Sequence, residues 1–308
     1  MSLAVVFPGQ GSQSIGMLSA LAAGEPVVRA TFEAASDVLG YDLWRLSQEG
    51  PEELLNSTER TQPAILTAGV ATWRAWRAKG APAPAMLAGH SFGEITALAC
   101  AEAVSFADAV ALVQFRGRVM QEAMPEGQGA MAAILGLEDR DVEAACVEAA
   151  QGEVVEPAVY NSPGQVVIAG QAAAVGRAIE ACKARGAKRA LLLAVSVPAH
   201  SSLLHAAGER FRARLADVPV KTPRWPVYAI SLRRHDTPEG IRANLVEQLS
   251  SPVRWADTVA AMIREGATRI VECGPGKVLT ALNRRIDRRK EIAMLSIEDP
   301  DSLAAALT

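Results

Sequence analysis

Apolar residues along the chain fall into two rhythms, and the place of each predicts the elements that form. Short apolar runs ending at glycine precede longer stretches of helical spacing, as in residues 85–88 followed, past Gly93, by 95–104. A buried strand turning tightly into a helix is the repeating unit of an α/β protein with a parallel sheet. The last third repeats it: a helix over 255–265, a strand over 269–272, the turn Gly274-Pro275-Gly276 and a helix over 277–286. The start, Met1-Ser2-Leu3-Ala4-Val5-Val6-Phe7 running into Pro8-Gly9, reads as a first strand of the same kind.

Between these ends the rhythm changes. Residues 130–135 are apolar, 139–150 helical, 155–160 apolar, Asn161-Ser162-Pro163-Gly164 a turn, 166–169 apolar, 172–185 helical and 190–195 apolar, the last reading as a buried strand. The order βαββαβ is that of a ferredoxin-like unit. The expected architecture is a large α/β domain over residues 1–125 and 199–308, interrupted by a small domain over 126–198, with the binding site in the cleft between them. Neither crossing is rich enough in Pro, Gly or Ser to be a flexible linker, and no fixed-period repeat is present.

Composition narrows the classes. The 308 residues, half of them hydrophobic and 21% charged, suffice for a large self-sufficient core. The longest apolar runs fall far short of the roughly 20 residues of a membrane span, and residues 1–9 have no basic leader or cleavable hydrophobic region, so a cytosolic location is expected. Cys100, Cys146, Cys182 and Cys273 are too scattered for a zinc ribbon or a redox pair and are expected to be buried thiols. A net charge of −3 creates no general field for nucleic acid or an anionic membrane, although Arg284-Arg285 and Arg288-Arg289-Lys290 form a local basic cluster.

The chemistry concentrates in a few places. Gly89-His90-Ser91-Phe92-Gly93 matches G-x-S-x-G at a strand-to-helix junction, where small glycines permit a sharp turn and the helix start supplies donors for an oxyanion. Ser91 is the candidate nucleophile; the alternative is a glycine-bounded turn with a capping serine. It needs a base, and the histidines are His90, His200, His205 and His235. His90 adjoins the serine and leaves the turn in another direction. His200 follows the 190–195 run and the rigid Val197-Pro198, and is the better candidate against the alternative of a surface loop histidine. A helix is predicted over 106–124, capped by Ser105, and Arg116 falls on its apolar stripe with no acidic residue three or four positions away. A buried guanidinium needs a partner, so Arg116 must reach distant protein, as an ordinary ion pair would, or a ligand. Phe7-Pro8-Gly9-Gln10-Gly11-Ser12-Gln13 can expose backbone donors beside a ligand, although in isolation an ordinary turn is the better reading, and it is not a dinucleotide fingerprint.

Taken together, residues 7–13, Thr61-Gln62-Pro63-Ala64, 89–94, Arg116-Gly117, Gly129-Ala130-Met131, 160–170, 195–200, 248–255 and 274–279 resemble, in order and over nearly the whole chain, the bacterial malonyl-CoA:acyl carrier protein transacylase family and, more loosely, polyketide synthase acyltransferase domains. The resemblance implies an α/β-hydrolase-like body with a ferredoxin-like insert. It further implies Ser91 as acyl-carrying nucleophile, His200 as base, the backbone amides of Gln10 and Phe92 as oxyanion donors, and Arg116 as a carboxylate clamp. A carbonyl near Gln248, in place of an aspartate, would orient the histidine. The implied reaction moves malonyl from coenzyme A to the carrier's phosphopantetheine with no metal or redox cofactor, for fatty acid or polyketide synthesis. An acidic carrier would dock on positive charge, for which Lys188, Arg189, Arg284, Arg285 and Arg288 are the candidates. Departures from the family pattern are Ala199 for serine, Ser201 for cysteine, Ser231-Leu232-Arg233 for Asn-Val-Asp and Phe92 for leucine. Two other classes remain open at this level: a serine esterase, which needs a triad acid and no Arg116, and a non-catalytic synthase subunit.

Overall fold

The computed structural model describes residues 2–125, 127–195 and 197–308. Met1, read as part of the first strand, Glu126, the expected first residue of the insert, and Ser196, within the 195–200 segment, lie outside the described residues. The strands in chain order are β1 (Ser2–Phe7), β2 (Met86–Gly89), β3 (Gly129–Leu135), β4 (Val155–Ser162), β5 (Gln165–Gln171), β6 (Arg189–Leu192), β7 (Val227–Tyr228), β8 (Ala267–Cys273) and β9 (Ala293–Ile297).

Five of them form a sheet in the order β7-β2-β1-β8-β9, every neighbouring pair parallel. The other four form an antiparallel sheet in the order β4-β5-β3-β6. With its helices Asp139–Ala150 and Ala172–Ala184, the second sheet has the ferredoxin-like arrangement expected from βαββαβ. The fold is therefore α/β, a parallel-sheet body carrying a small antiparallel sheet.

Side-chain alternation decides where the cleft lies. On β1, Leu3, Val5 and Phe7 point into the main core, whereas Ala4 and Val6 point into a second core shared with the small sheet. Both faces are apolar, as a central parallel strand requires. On the small sheet Ala130, Ala132 and Ile134 of β3 and Val166 and Ile168 of β5 pack under its own helices. The alternate residues, Met131 of β3 with Val167 and Ala169 of β5, join the second core and face the body. The cleft opens along that second interface.

Several expectations shift. Strand β4 runs on to Ser162, so the hairpin turn is Pro163-Gly164, with Gly164 at φ 71°. The helix after Gly93 ends at Cys100 rather than 104, and that of Arg116 spans Phe106–Glu122. The 190–195 run does not form a buried strand: β6 covers Arg189–Leu192, and Leu191 and Leu192 are 51% and 65% exposed. It is a sheet edge paired only with β3, so an apolar run here signals neither length nor burial. The long helix Thr58–Ala78 carries no prediction; it is buried continuously from Thr61 to Trp73, and its partly exposed polar residues Glu59, Arg60, Arg74 and Arg77 share one face.

These placements predict unequal costs. Leu87→Ala on fully buried β2 should destabilise by about 2 to 5 kcal/mol in chemical denaturation, whereas Leu191→Ala should stay within about 0.5 kcal/mol. Comparable losses would contradict the exposed edge.

Candidate active site

Ser91 stands on the turn between β2 and the helix Gly93–Cys100, at φ 52°. A non-glycine residue in the left-handed region is strained, and the flanking glycines make the turn sterically possible. A Cβ on Gly89 would lie 1.8 Å from the carbonyl carbon of Gly93, and one on Gly93 would lie 2.4 Å from the Phe7 oxygen. The elbow is thus pressed against the end of β1, and the His90 amide donates to the Phe7 carbonyl at 3.0 Å.

His200 reaches it from the far side of the fold. Its Nε2 lies 2.7 Å from Ser91 Oγ, while its Nδ1 faces the carbonyl oxygens of Gln248 at 2.9 Å and Ser251 at 3.1 Å. Carbonyls only accept, so the ring proton sits on Nδ1 and the bare Nε2 accepts from the serine hydroxyl. His200 also has a positive φ, 63°, and is 3% exposed. Burial, reinforced by the Arg116 charge, pushes its pKa down to about 3 against the opposing carbonyl bonds. No carboxylate among the described residues contacts Nδ1, so the triad acid of an esterase has no counterpart here.

Arg116 lies 1% exposed in the helix Phe106–Glu122, whose start Ser105 caps by accepting from the Asp108 amide at 3.1 Å. Its guanidinium donates to Gln62 Oε1 at 3.1 Å, Gln248 Oε1 at 3.0 Å and the Met120 sulfur at 3.1 Å, and its Nε has no partner among the described residues. All these acceptors are neutral. Burial pushes the Arg116 pKa down to about 9, opposed by the charge of Glu94. Two of these partners, Gln62 and Gln248, are distant in sequence and Met120 is one turn away, and all three leave the charge uncompensated at first contact.

A cleft of about 570 Å³ gathers Gln10, Ser91, Phe92, Arg116 and His200 on one side and Met131, Val159, Val167 and Leu193 on the other. A Cβ on Gly9 would lie 2.7 Å from the His90 carbonyl, so the 8–13 loop is packed against the elbow beside Gln10. The amides of Gln10 and Phe92 have no acceptor among the described residues and border the cleft with Ser91. His90 is turned away: its Nε2 pairs with Asn161 Oδ1 at 2.9 Å and its ring lies 5.5 Å from that of Trp255. Burial pushes its pKa down to about 4, opposed by the Asn161 bond.

Among the basic candidates, Lys188 and Arg189 are exposed at the start of β6, and Arg284, Arg285 and Arg288 are exposed at or just past the helix Val278–Ile286. Arg285 alone of the five lines the cleft; it donates to Gln165 Oε1 at 2.7 Å, whereas Arg284 donates to the Met294 carbonyl at 3.0 Å. The Gln248 side chain, Gln62, Ser251, Glu94 and His235 were not assigned from sequence. Glu94 in a helix's first turn reads as ordinary dipole complementation, and nothing local marks glutamines 186 positions apart as neighbours. The four cysteines are free and buried, as expected.

A serine and histidine poised for acyl transfer, without a carboxylate on the histidine, on a parallel sheet with a small antiparallel insert, define a serine acyltransferase. Residues 4–297 match the family of acyl transferase domains. The chain is 52% identical to the malonyl CoA-acyl carrier protein transacylase of Escherichia coli K12, over 99% of this chain and 98% of that protein. Its identity to the enzyme of the same name from Bacillus subtilis is 40%, over 99% and 96%. A malonyl-transacylase solved in complex with its type II PKS acyl-carrier protein superposes with a TM-score of 0.98 at 51% identity, covering 100% of this chain and 99% of that one. An acyl carrier protein S-malonyltransferase from Vibrio cholerae gives 0.96 at 51%, covering 99% of each chain. The chain belongs to the family of malonyl CoA-acyl carrier protein transacylases.

The depressed His200 pKa sets a pH expectation. An unfolded histidine takes its proton near 6.5, the folded ring only near 3, so His200 stays neutral, with Nε2 free to accept a proton, through the acidic range. Single-turnover acylation of Ser91 should therefore lack an acid limb near pH 6.5. The same shift lowers stability as pH falls below about 6.5, because the unfolded chain binds the proton first. A rate that halves near pH 6.5 would contradict this environment for His200.

Proposed function

We propose that this protein transfers a malonyl group from malonyl-CoA to the phosphopantetheine thiol of an acyl carrier protein by way of an ester on Ser91. The observation that carries the reading is a buried, carboxylate-free Arg116 in the same cleft as the Ser91–His200 pair. A guanidinium with neutral partners can receive the free carboxylate of a malonyl group in two parallel hydrogen bonds, whereas an acetyl group brings nothing to pair with it.

His200 Nε2 takes the Ser91 proton as Oγ attacks the thioester carbonyl. The resulting oxyanion is received by the Phe92 and Gln10 amides, with the helix Gly93–Cys100 directing its dipole the same way. Collapse breaks the carbon–sulfur bond; the proton passes from His200 to the coenzyme A sulfur, and malonyl remains on Ser91. The carrier's thiol then loses its proton to His200 and attacks the ester, and the serine oxygen leaves with that proton. The cycle balances without a metal or redox cofactor. The Gln248 and Ser251 carbonyls hold the ring and stabilise its cationic form in each half-reaction.

The carrier must present its thiol at the cleft mouth. Arg285, which lines the cleft, together with the exposed Arg284, Arg288, Lys188 and Arg189, supplies positive charge for an acidic partner. Replacing Lys188, Arg189 and Arg285 together by glutamate should raise the KM for carrier and flatten its salt dependence, with acylation by malonyl-CoA alone intact. Unchanged carrier kinetics would place the dock elsewhere.

Intact-mass measurement tests the chemistry. Malonyl-CoA alone should add one malonyl group, lost in Ser91→Ala and slowed about 10²- to 10⁴-fold in His200→Ala. Arg116→Ala should lose roughly 2 to 5 kcal/mol of malonyl transfer while acetyl transfer holds or rises. Equal losses for both acyl groups, together with a lowered Tm, would make Arg116 a structural residue and end the clamp reading.

A further inference from the structure

Within the elbow segment 89–94, Glu94 is a charged residue to which acyl transfer assigns no task, and it is 0% exposed. Its Oε1 accepts from His235 Nε2 at 2.6 Å, and its Oε2 accepts from the Ile230 amide and from Gln248 Nε2, each at 2.9 Å. His235 is itself buried, and its Nδ1 has no partner among the described residues. The other two partners of the carboxylate are neutral amides, and those of Arg116 are neutral as well. A buried charge of either sign without compensation is very costly.

One residue joins the two ions. The Gln248 amide accepts from Arg116 through Oε1 at 3.0 Å and donates to Glu94 through Nε2 at 2.9 Å. This orientation satisfies both ends, since a guanidinium only donates and an ionised carboxylate only accepts. The nearness of Glu94 also works against the depression of the Arg116 pKa by burial.

Building on the clamp reading above, we infer that Glu94 is a built-in counter-ion of Arg116, coupled through Gln248, and a positioning residue that tunes how firmly the clamp holds a substrate carboxylate. In the empty cleft the pair is electrically balanced. A carboxylate arriving at Arg116 is drawn by the guanidinium and repelled by Glu94, so it is held less tightly than an isolated guanidinium would hold it. Moderation of this kind suits a two-step transfer, in which the acyl group must be released to a second thiol. A unit charge one amide beyond the first contact, at an effective dielectric near 20, changes carboxylate binding on the order of 10- to 30-fold.

The test uses free malonate as probe and the whole protein. Glu94→Gln is isosteric and can keep all three hydrogen bonds, donating to His235 once that ring carries its proton on Nδ1. Calorimetry should find malonate bound about 10- to 30-fold more tightly, with the KM for malonyl-CoA lowered in step and acetyl-CoA acylation within about twofold of native. Glu94→Asp, which keeps the charge, should bind malonate within about threefold of native. Unchanged or weaker malonate binding in Glu94→Gln overturns the inference, and so does equal behaviour of the two variants. Should Glu94→Gln fold poorly, a stability cycle decides: adding Arg116→Gln removes the orphaned cation, so the double variant should exceed Glu94→Gln in soluble yield and Tm. A double variant no more stable than Glu94→Gln overturns the counter-ion. The cycle needs no ligand, so it still decides if malonate fails to bind the native protein, a result that would count against the clamp itself.

Discussion

Gln248 holds the site together. Its backbone carbonyl accepts from the His200 ring, its side-chain oxygen accepts from Arg116, and its side-chain nitrogen donates to the Ser91 carbonyl and to Glu94. His200, Arg116 and Ser91 thus share one residue, 1% exposed just past the helix Pro238–Glu247. A buried amide with every hydrogen-bonding atom engaged is rigid, because each lost bond would leave a desolvated polar group unpaired. The alignment of three elements remote in sequence rests on that rigidity.

Strain sits where the chemistry sits. Ser91 and His200 both occupy the left-handed region, at φ 52° and 63°, and neither is glycine. Such conformations cost on the order of 1 to 3 kcal/mol each and persist only where the surroundings over-determine them. For Ser91 the surroundings are the helix start, which leaves Gly89 no space for a Cβ, and the end of β1, which leaves none for Gly93. For His200 they are the Leu249 carbonyl, which accepts from its amide at 3.1 Å, and the two carbonyls on its ring. The parallel sheet and the segment after the helix Pro238–Glu247 act as opposing jaws.

The small sheet contributes a wall rather than a reacting group. Its second face lays Met131, Val159 and Val167 along the cleft, and Asn161 and Gln165 at its margin hold His90 and Arg285. An apolar wall opposite a buried cation lowers the local dielectric, which strengthens every charge interaction in the cleft. It also explains why a histidine and an arginine here are both displaced from their ordinary titration ranges, in each case foremost by burial.

Local pattern by itself determined the element order of the insert, the strand–turn–helix at Ser91 and the capped helix bearing Arg116, because each depends on residue type at short spacing; the choice of His200 leaned on a buried 190–195 strand that the fold does not form. Period-2 and period-3.6 signals survive wherever an element has one apolar face, as in the helix Asp139–Ala150, whose bounds coincide with the expected 139–150. They mislead where an apolar run is not buried: β6 is such a run, left at an exposed edge. Only the tertiary structure decided that Ser91 and His200, 109 positions apart, come within 2.7 Å, and that the two glutamines flank Arg116. It alone revealed Glu94 and His235 as a buried pair. The physical reason is common to all of these: hydrogen bonds between side chains far apart in sequence leave no periodic trace in it, because they are selected by the packing of whole elements and not by the spacing of residues within one.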